Sequence, residues 1–274
     1  YQTIGRVPGG QRQDPAIFRR SGNEIASDPE TGVQLKMDKP SHKMDVWLNW
    51  QSFVFRNDIH QEAFSIGYNS QSFFDLRKDK LRLVMPLSFL VQHLGGENLS
   101  GSFSMQTWLN MAAGLRAEAK FGSINTVLGF DYLFYKQAGK GDVMPFDEGW
   151  ALYPYFEFAF DDFKIKIAYY DSKDFVSLFG SQHFCNYSNN TPDLVFDRAN
   201  QYYARATYRY DITTGCKFDA YLQIFKQNHI TGDRPGFPKV IRDGFVSFSF
   251  GVILSIDHSI LLKQFSAVDD SLSE

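Results

Sequence analysis

The run Phe245-Val-Ser-Phe-Ser-Phe-Gly-Val-Ile-Leu-Ser-Ile256 decides the fold class of this chain. Its even positions are Val246, Phe248, Phe250, Val252, Leu254 and Ile256. After Phe245 its odd positions are mainly Ser247, Ser249, Gly251 and Ser255. Successive side chains of a strand point to opposite faces, so one face is wholly apolar and the other small or polar. A helix, with its period of 3.6, cannot sort residues in this way.

The same period of two recurs upstream. Phe218, Ala220, Leu222 and Ile224 alternate with Lys217, Asp219, Tyr221 and Gln223, and Tyr202 to Tyr210 alternate with Gln201 to Arg209. Phe163 to Tyr169, Leu152 to Phe160, Leu128 to Phe134, Met105 to Ala117 and Leu81 to Val91 behave alike. Weaker runs lie at 44–56 and 61–69. Together they predict about ten strands, or about twelve if the N-terminal segment adds two. A short strand is expected around Gly32 to Met37. The stretch Ser104 to Lys120 can also be drawn as an amphipathic helix, but its alternation runs the full length and favours a strand.

Connections give a second signal. Asp161-Asp162, Gly122 to Asn125 and Ile212 to Gly215 are tight, whereas 137–149, 172–200 and 227–243 are long and polar. Short and long therefore alternate, except near Ser70 to Lys80, where a short connection is due and a longer one is read. Runs of about nine to twelve residues suit a tilted strand crossing a bilayer, whereas soluble strands average about five or six. Three residues resist this reading: Pro86 and Pro154 fall inside strands, and Glu62 falls on an apolar face.

Composition agrees. Aromatic residues make up 16%, which suits pleated surfaces. The net charge of -3 leaves no basic excess for nucleic acid, so no nucleic-acid partner is expected. No uncharged stretch is long enough for a transmembrane helix. Mean hydropathy of -0.30 fits a barrel, since only alternate residues would face lipid. The N-terminus is polar from Tyr1 onward, as in an exported protein whose signal peptide has been removed. Cys185 and Cys216 fall at opposite ends of this topology and are expected not to pair.

From roughly Met44 to Ile256 the chain resembles the general class of bacterial outer-membrane β-barrels. The resemblance implies an all-β fold: a closed antiparallel transmembrane β-barrel of about 10–12 strands, with short periplasmic turns and long extracellular loops. Residues 1–42 read as a polar tail or plug that could add two strands, 43–265 as the barrel and 266–274 as a polar tail. Such barrels often end on an aromatic residue; here Phe265 follows Asp257-His258-Ser259 and is itself followed by a tail. The implied setting is the outer membrane, with membrane lipid as a partner, and small solutes or another outer-membrane protein as further candidates.

By parity, the face opposite the apolar one carries Arg82, Arg116, Glu118, Lys120, Asp131, Glu157, Lys164, Lys166, Arg205, Arg209, Lys217 and Asp219. Charges inside a barrel need water or partners. They either pair across a closed interior or line a wet channel whose basic excess favours anions. The leading expectation is a porin-like channel for small, even anionic, solutes. The alternative is a closed barrel acting as a surface binding or accessory component, and the third is a barrel-rim hydrolase using His183, Ser181 and Asp171 or Asp174. No catalytic set, metal site or cofactor is expected from the motifs, which lack phosphate loops and metal-ligand spacing.

Overall fold

The computed structural model describes residues 32–53, 61–77, 80–95, 105–139, 144–180, 184–188, 191, 193–228 and 230–256. The expectations for residues 1–31 and for the end of the chain, Phe265 included, lie outside these. The strands, in chain order, are β1 (Gly32–Lys39), β2 (His42–Ser52), β3 (Glu62–Arg77), β4 (Leu81–Gly95), β5 (Gln106–Phe121), β6 (Ile124–Gly139) and β7 (Glu148–Phe160). They continue as β8 (Phe163–Lys173), β9 (Val195–Phe196), β10 (Ala199–Thr213), β11 (Cys216–Gln227), β12 (Ile230–Asp233), β13 (Val240–Arg242) and β14 (Val246–Ile256). Eleven form one antiparallel sheet in the order β1-β2-β3-β4-β5-β6-β7-β8-β10-β11-β14, and β13-β12-β9 form a small second sheet.

Every neighbour in the large sheet is also the next strand of that sheet along the chain. Alternation alone produces this meander, because each tight connection returns the chain beside itself. The connections 40–41, 78–80, 122–123, 161–162 and 214–215 all lie at one end of the strands; 53–61, 96–105, 140–147, 174–198 and 228–245 lie at the other. The expected exception near Ser70 to Lys80 is therefore corrected. β3 runs on to Arg77, with Ser70, Ser72, Phe74 and Leu76 on one face and Gln71, Phe73 and Asp75 on the other. Serines on the apolar face hid the period. The strand expected around Gly32 to Met37 is β1, Gly32–Lys39, which opens the sheet. Ser104 to Lys120 is strand β5 from Gln106 onward, not helix.

The two prolines sit where one ladder lapses. β4 pairs with β3 through Gln71↔Pro86, but its pairing with β5 skips from Val84 to Leu87. β7 pairs with β6 through Phe130↔Pro154, but its pairing with β8 skips from Leu152 to Tyr155. Each proline thus lacks a donor only on a side where no bond is made.

One face of the sheet is exposed and apolar, with Leu128, Phe156, Ile167, Leu222, Phe248 and Phe250 in the open. The other is concave. It curls around a segment of the 174–198 connection, since Asn110 of β5, Tyr153 of β7, Tyr170 of β8 and Phe225 of β11 all touch residues between 176 and 184. The buried core lies here, including Trp108, Tyr135, Tyr153, Tyr170, Phe184 and Tyr203. A repeated device flattens rings onto this face: Trp47 lies over Gly67, Tyr155 over Gly129 and Tyr221 over Gly251, each its direct cross-strand partner. A Cβ on these glycines would lie 2.1, 2.2 and 2.5 Å from the ring atoms. Among the described residues no helix is long and apolar enough to cross a membrane.

Candidate active site on the exposed face

The twelve charged residues expected on the polar parity all share the concave face. Eight of them form local partnerships that the structure displays. Arg82 Nε donates to Asp75 at 2.7 Å, and Arg209 Nε to Asp219 at 2.6 Å. Lys164 and Lys166 both engage Glu157. Lys166 also lies 4.1 Å above the Tyr155 ring and 5.0 Å above Tyr153, Arg116 lies 5.9 Å above Tyr155, and Arg205 lies 4.7 Å above Tyr221. Cations held over ring faces in partly dry surroundings are stabilised by the ring quadrupole. Asp131 is buried beside Gly114. Glu118, Lys120 and Lys217 sit nearer the tight-connection end, at register with Arg82, Asn125 and Ser255.

Of the expected rim set, Ser181 and His183 lie outside the described residues. Asp171 accepts a hydrogen bond from Arg198 Nε at 2.7 Å and makes a second contact with Arg198 Nη2. Asp174 lies just beyond β8 with φ of 54°, and burial raises its carboxyl above the usual range.

A different group stands out on the exposed apolar face, at the end of the long connections. His93 and Thr107 face each other across β4 and β5, with His93 Nδ1 hydrogen-bonded to Thr107 Oγ1 at 2.8 Å. Phe64, opposite His93 on β3, stacks on the imidazole at 4.7 Å between centroids. Trp50 of β2 packs on Phe64 at 5.5 Å, and Phe53 stacks on Trp50 at 5.1 Å. Glu62 opens β3 opposite Gly95, which makes it the diagonal neighbour of His93 on the same face. Diagonal partners in an antiparallel pair lie within reach of long side chains.

Hydroxyl, imidazole and carboxylate therefore follow one another across three adjacent strands. The strand pairing positions them and the aromatic stack fixes the ring plane. With Nδ1 bonded to the threonine oxygen, Nε2 is left to meet a water or a substrate, the arrangement a general base requires. Sequence reasoning missed this row, though its signal was present. Glu62 broke an otherwise apolar parity, and His93 follows Leu83, Met85, Leu87, Phe89 and Val91 on the same side of β4. Charge and imidazole on an apolar face are costly enough to ask for a use. A second pair, His42 Nδ1 and Ser72 Oγ at 3.1 Å, lies on the same face at the opposite end of the strands. Among the described residues no three His, Cys, Asp or Glu side chains group as a metal site would need.

No curated protein and no solved structure matches the chain. A family model described as lipid A 3'-O-deacylase-type matches residues 18–265, which takes in every strand of both sheets and the Glu62–His93–Thr107 row. The match overturns the porin-like channel expected from the concave-face charges. The family is described by removal of an acyl group, not by conduction, and charges such as Glu157, Lys166 and Arg205 engage opposite charges or rings. Alternating parity produces a polar inner face whatever a barrel does, so that face was never specific to transport. An antiparallel sheet with an apolar outer face is compatible with an outer-membrane protein, and the chain belongs to the lipid A 3'-O-deacylase-type family.

Proposed function

We propose that this protein is an outer-membrane ester hydrolase that removes an acyl chain from lipid A, acting from the outside of its sheet. The family match carries the reading, and the position of the His93 row supports it. The strands are long, up to 16 residues, and their apolar face is exposed along its length, as spanning strands require. In this reading the sheet is closed into a barrel. β1 and β14 are its two ends and are exposed on each face; because both run from the long connections to the tight ones, the seam that joins them is parallel, unlike every other pairing in the sheet. The long connections face outward, so the row lies at the level of the outer leaflet, where lipid A resides. Lipid arriving sideways meets Glu62, His93 and Thr107 without leaving the bilayer.

The chemistry follows from the geometry. Thr107 accepts from His93 Nδ1–H and fixes the tautomer. His93 Nε2 takes a proton from water as the water oxygen bonds to the ester carbonyl carbon. The tetrahedral intermediate then breaks the bond between that carbon and the sugar oxygen, and the imidazolium returns the proton to the leaving oxygen. A fatty acid and a free sugar hydroxyl result. Glu62 stabilises the imidazolium that forms in between.

The test is mass spectrometry of purified lipid A after incubation with protein refolded in detergent. Wild type is expected to release one acyl unit. His93→Ala is expected to lose about 10²–10⁴-fold in rate, the usual worth of a general base. Full activity in that variant would move the site elsewhere, and no activity in wild type would remove the enzyme reading. Detergent dependence and a heat-sensitive gel shift test the barrel separately: a protein monodisperse without detergent would overturn it.

A further inference from the structure

The concave face differs at its two ends. Near the tight connections, Arg82 and Arg209 remain largely exposed beside their partners. Near the long connections, Tyr135, Tyr153, Tyr170 and Tyr203 are sealed from solvent. What seals them is part of the 174–198 connection. Phe175, Val176, Phe184 and Asn186 are buried against the sheet.

Two asparagines hold this material. Asn110 Nδ2, from β5, donates to the Val176 carbonyl at 2.7 Å, and Leu178 N donates back to Asn110 Oδ1 at 2.9 Å. Asn186 Oδ1 accepts from Ser172 Oγ at 2.7 Å and from Phe175 N at 3.1 Å, while its Nδ2 donates to the Phe196 carbonyl at 3.1 Å. Each amide therefore satisfies backbone groups that a buried irregular segment would otherwise leave orphaned. Tyr170 adds a hydrogen bond to the Phe184 carbonyl at 2.8 Å. The entry point is fixed as well, since a Cβ on Gly149 would lie 2.0 Å from the Asp174 carbonyl oxygen.

We infer that residues 175–178 and 184–186 form a built-in stopper, pinned by Asn110 and Asn186, that closes the concave side at the long-connection end. The polar interior is then a blind vestibule entered from the tight-connection end. This inference rests on the barrel reading but not on the hydrolase reading.

Cys185 is a native reporter. It is buried in the stopper, its Sγ lies near Ser177, and burial pushes its thiol up to about 11, so it carries little thiolate at neutral pH. The test uses the full chain carrying Cys216→Ser, refolded in detergent and then placed in planar bilayers. The parent is expected to be electrically silent. Its Cys185 is expected to react with a small methanethiosulfonate at least about tenfold more slowly than in the urea-unfolded chain, because reaction needs local opening. Asn110→Ala with Asn186→Ala is expected to open discrete conductance with anion preference, given Arg116, Lys166 and Arg205 beneath, and to speed labelling. A conducting parent, or a parent whose Cys185 labels at the unfolded rate, overturns the stopper. So does a double variant that keeps its heat-sensitive gel shift yet stays silent and protected. If the double variant does not fold, labelling of the parent decides. Loss of the gel shift in the parent itself would count against the barrel, not the stopper.

Discussion

The two faces of the same eleven strands put charge in opposite circumstances. On the concave face a carboxylate such as Glu157 sits among Lys164, Lys166 and two tyrosine rings, and the charges hold the fold together. On the exposed face polar groups are few, and Glu62, His93 and Thr107 stand in an apolar field with Phe64 and Trp50 for neighbours. Abundant polar groups on the concave face solve a packing problem. Scarce ones on the exposed face solve none, and that is why the functional reading falls on them. The comparison predicts that substitutions on the exposed row change rate and spare stability, whereas concave-face substitutions do the reverse.

Thr107→Val gives the largest contrast on the exposed side after His93 itself. It keeps the shape and removes the hydrogen bond that orients the imidazole. The expected result is a loss of about 10²-fold in turnover with little change in KM, as for a catalytic group displaced by an ångström or so. The melting temperature should hold. A large fall in thermal stability with unchanged turnover would reverse the assignment of roles between the faces.

Glu157→Leu is the matching change on the concave side. It removes the carboxylate that Lys164 and Lys166 share, and Lys166 keeps only 12% of its side chain in solvent. Hydrogen bonds to charged groups are worth about 1.5–3 kcal/mol, and a loss of stability in that range is expected in urea titrations, with deacylation per folded molecule unchanged. Gly129→Ala tests the ring device on the same face. Its Cβ would meet the Tyr155 ring at 2.2 Å, and overpacking of this kind costs about 1–3 kcal/mol. Gly251→Ala should behave alike, because Tyr221 covers it in the same way.

Much of this was legible in the sequence. Phe245 to Ile256 stated its own parity, and β14 occupies Val246–Ile256 with that apolar set exposed. The same arithmetic put the twelve charged residues on one parity; it carried nothing about whether they line a lumen. What failed had physical causes. The end of β3 was hidden because Ser70 and Ser72 occupy apolar-face positions, so composition contradicted period. Asn110 and Asn186 gave no signal, since a buried amide that clamps a distant backbone reads like any loop or strand asparagine. The Glu62–His93–Thr107 row spans three strands, and its members become neighbours only through register. Glu62 was visible as an anomaly, but an anomaly names a site only after its neighbours are known. The channel reading failed because interior charge is a property of the architecture, shared by barrels that conduct and barrels that do not.

The smallest effect belongs to an ion pair that looks as good as any on the concave face. Lys136 Nζ lies 2.9 Å from Glu148 Oε2 across β6 and β7, at the long-connection end of the exposed face beside Trp150. Its separation is shorter than the 3.5 Å between Lys166 Nζ and Glu157 Oε1, so distance alone would rank it above that pair. Solvent decides otherwise. The two side chains are 49% and 64% exposed, and an exposed pair in high dielectric is worth about 0–1 kcal/mol and is screened by salt. Lys136→Met should therefore shift the urea midpoint barely, and the residual shift should vanish in high salt. If instead this substitution destabilises as much as Glu157→Leu and resists salt, the rim is drier than its exposure indicates. The exposed face would then be covered there by something other than water, and the contrast between the two faces would have to be redrawn at that edge.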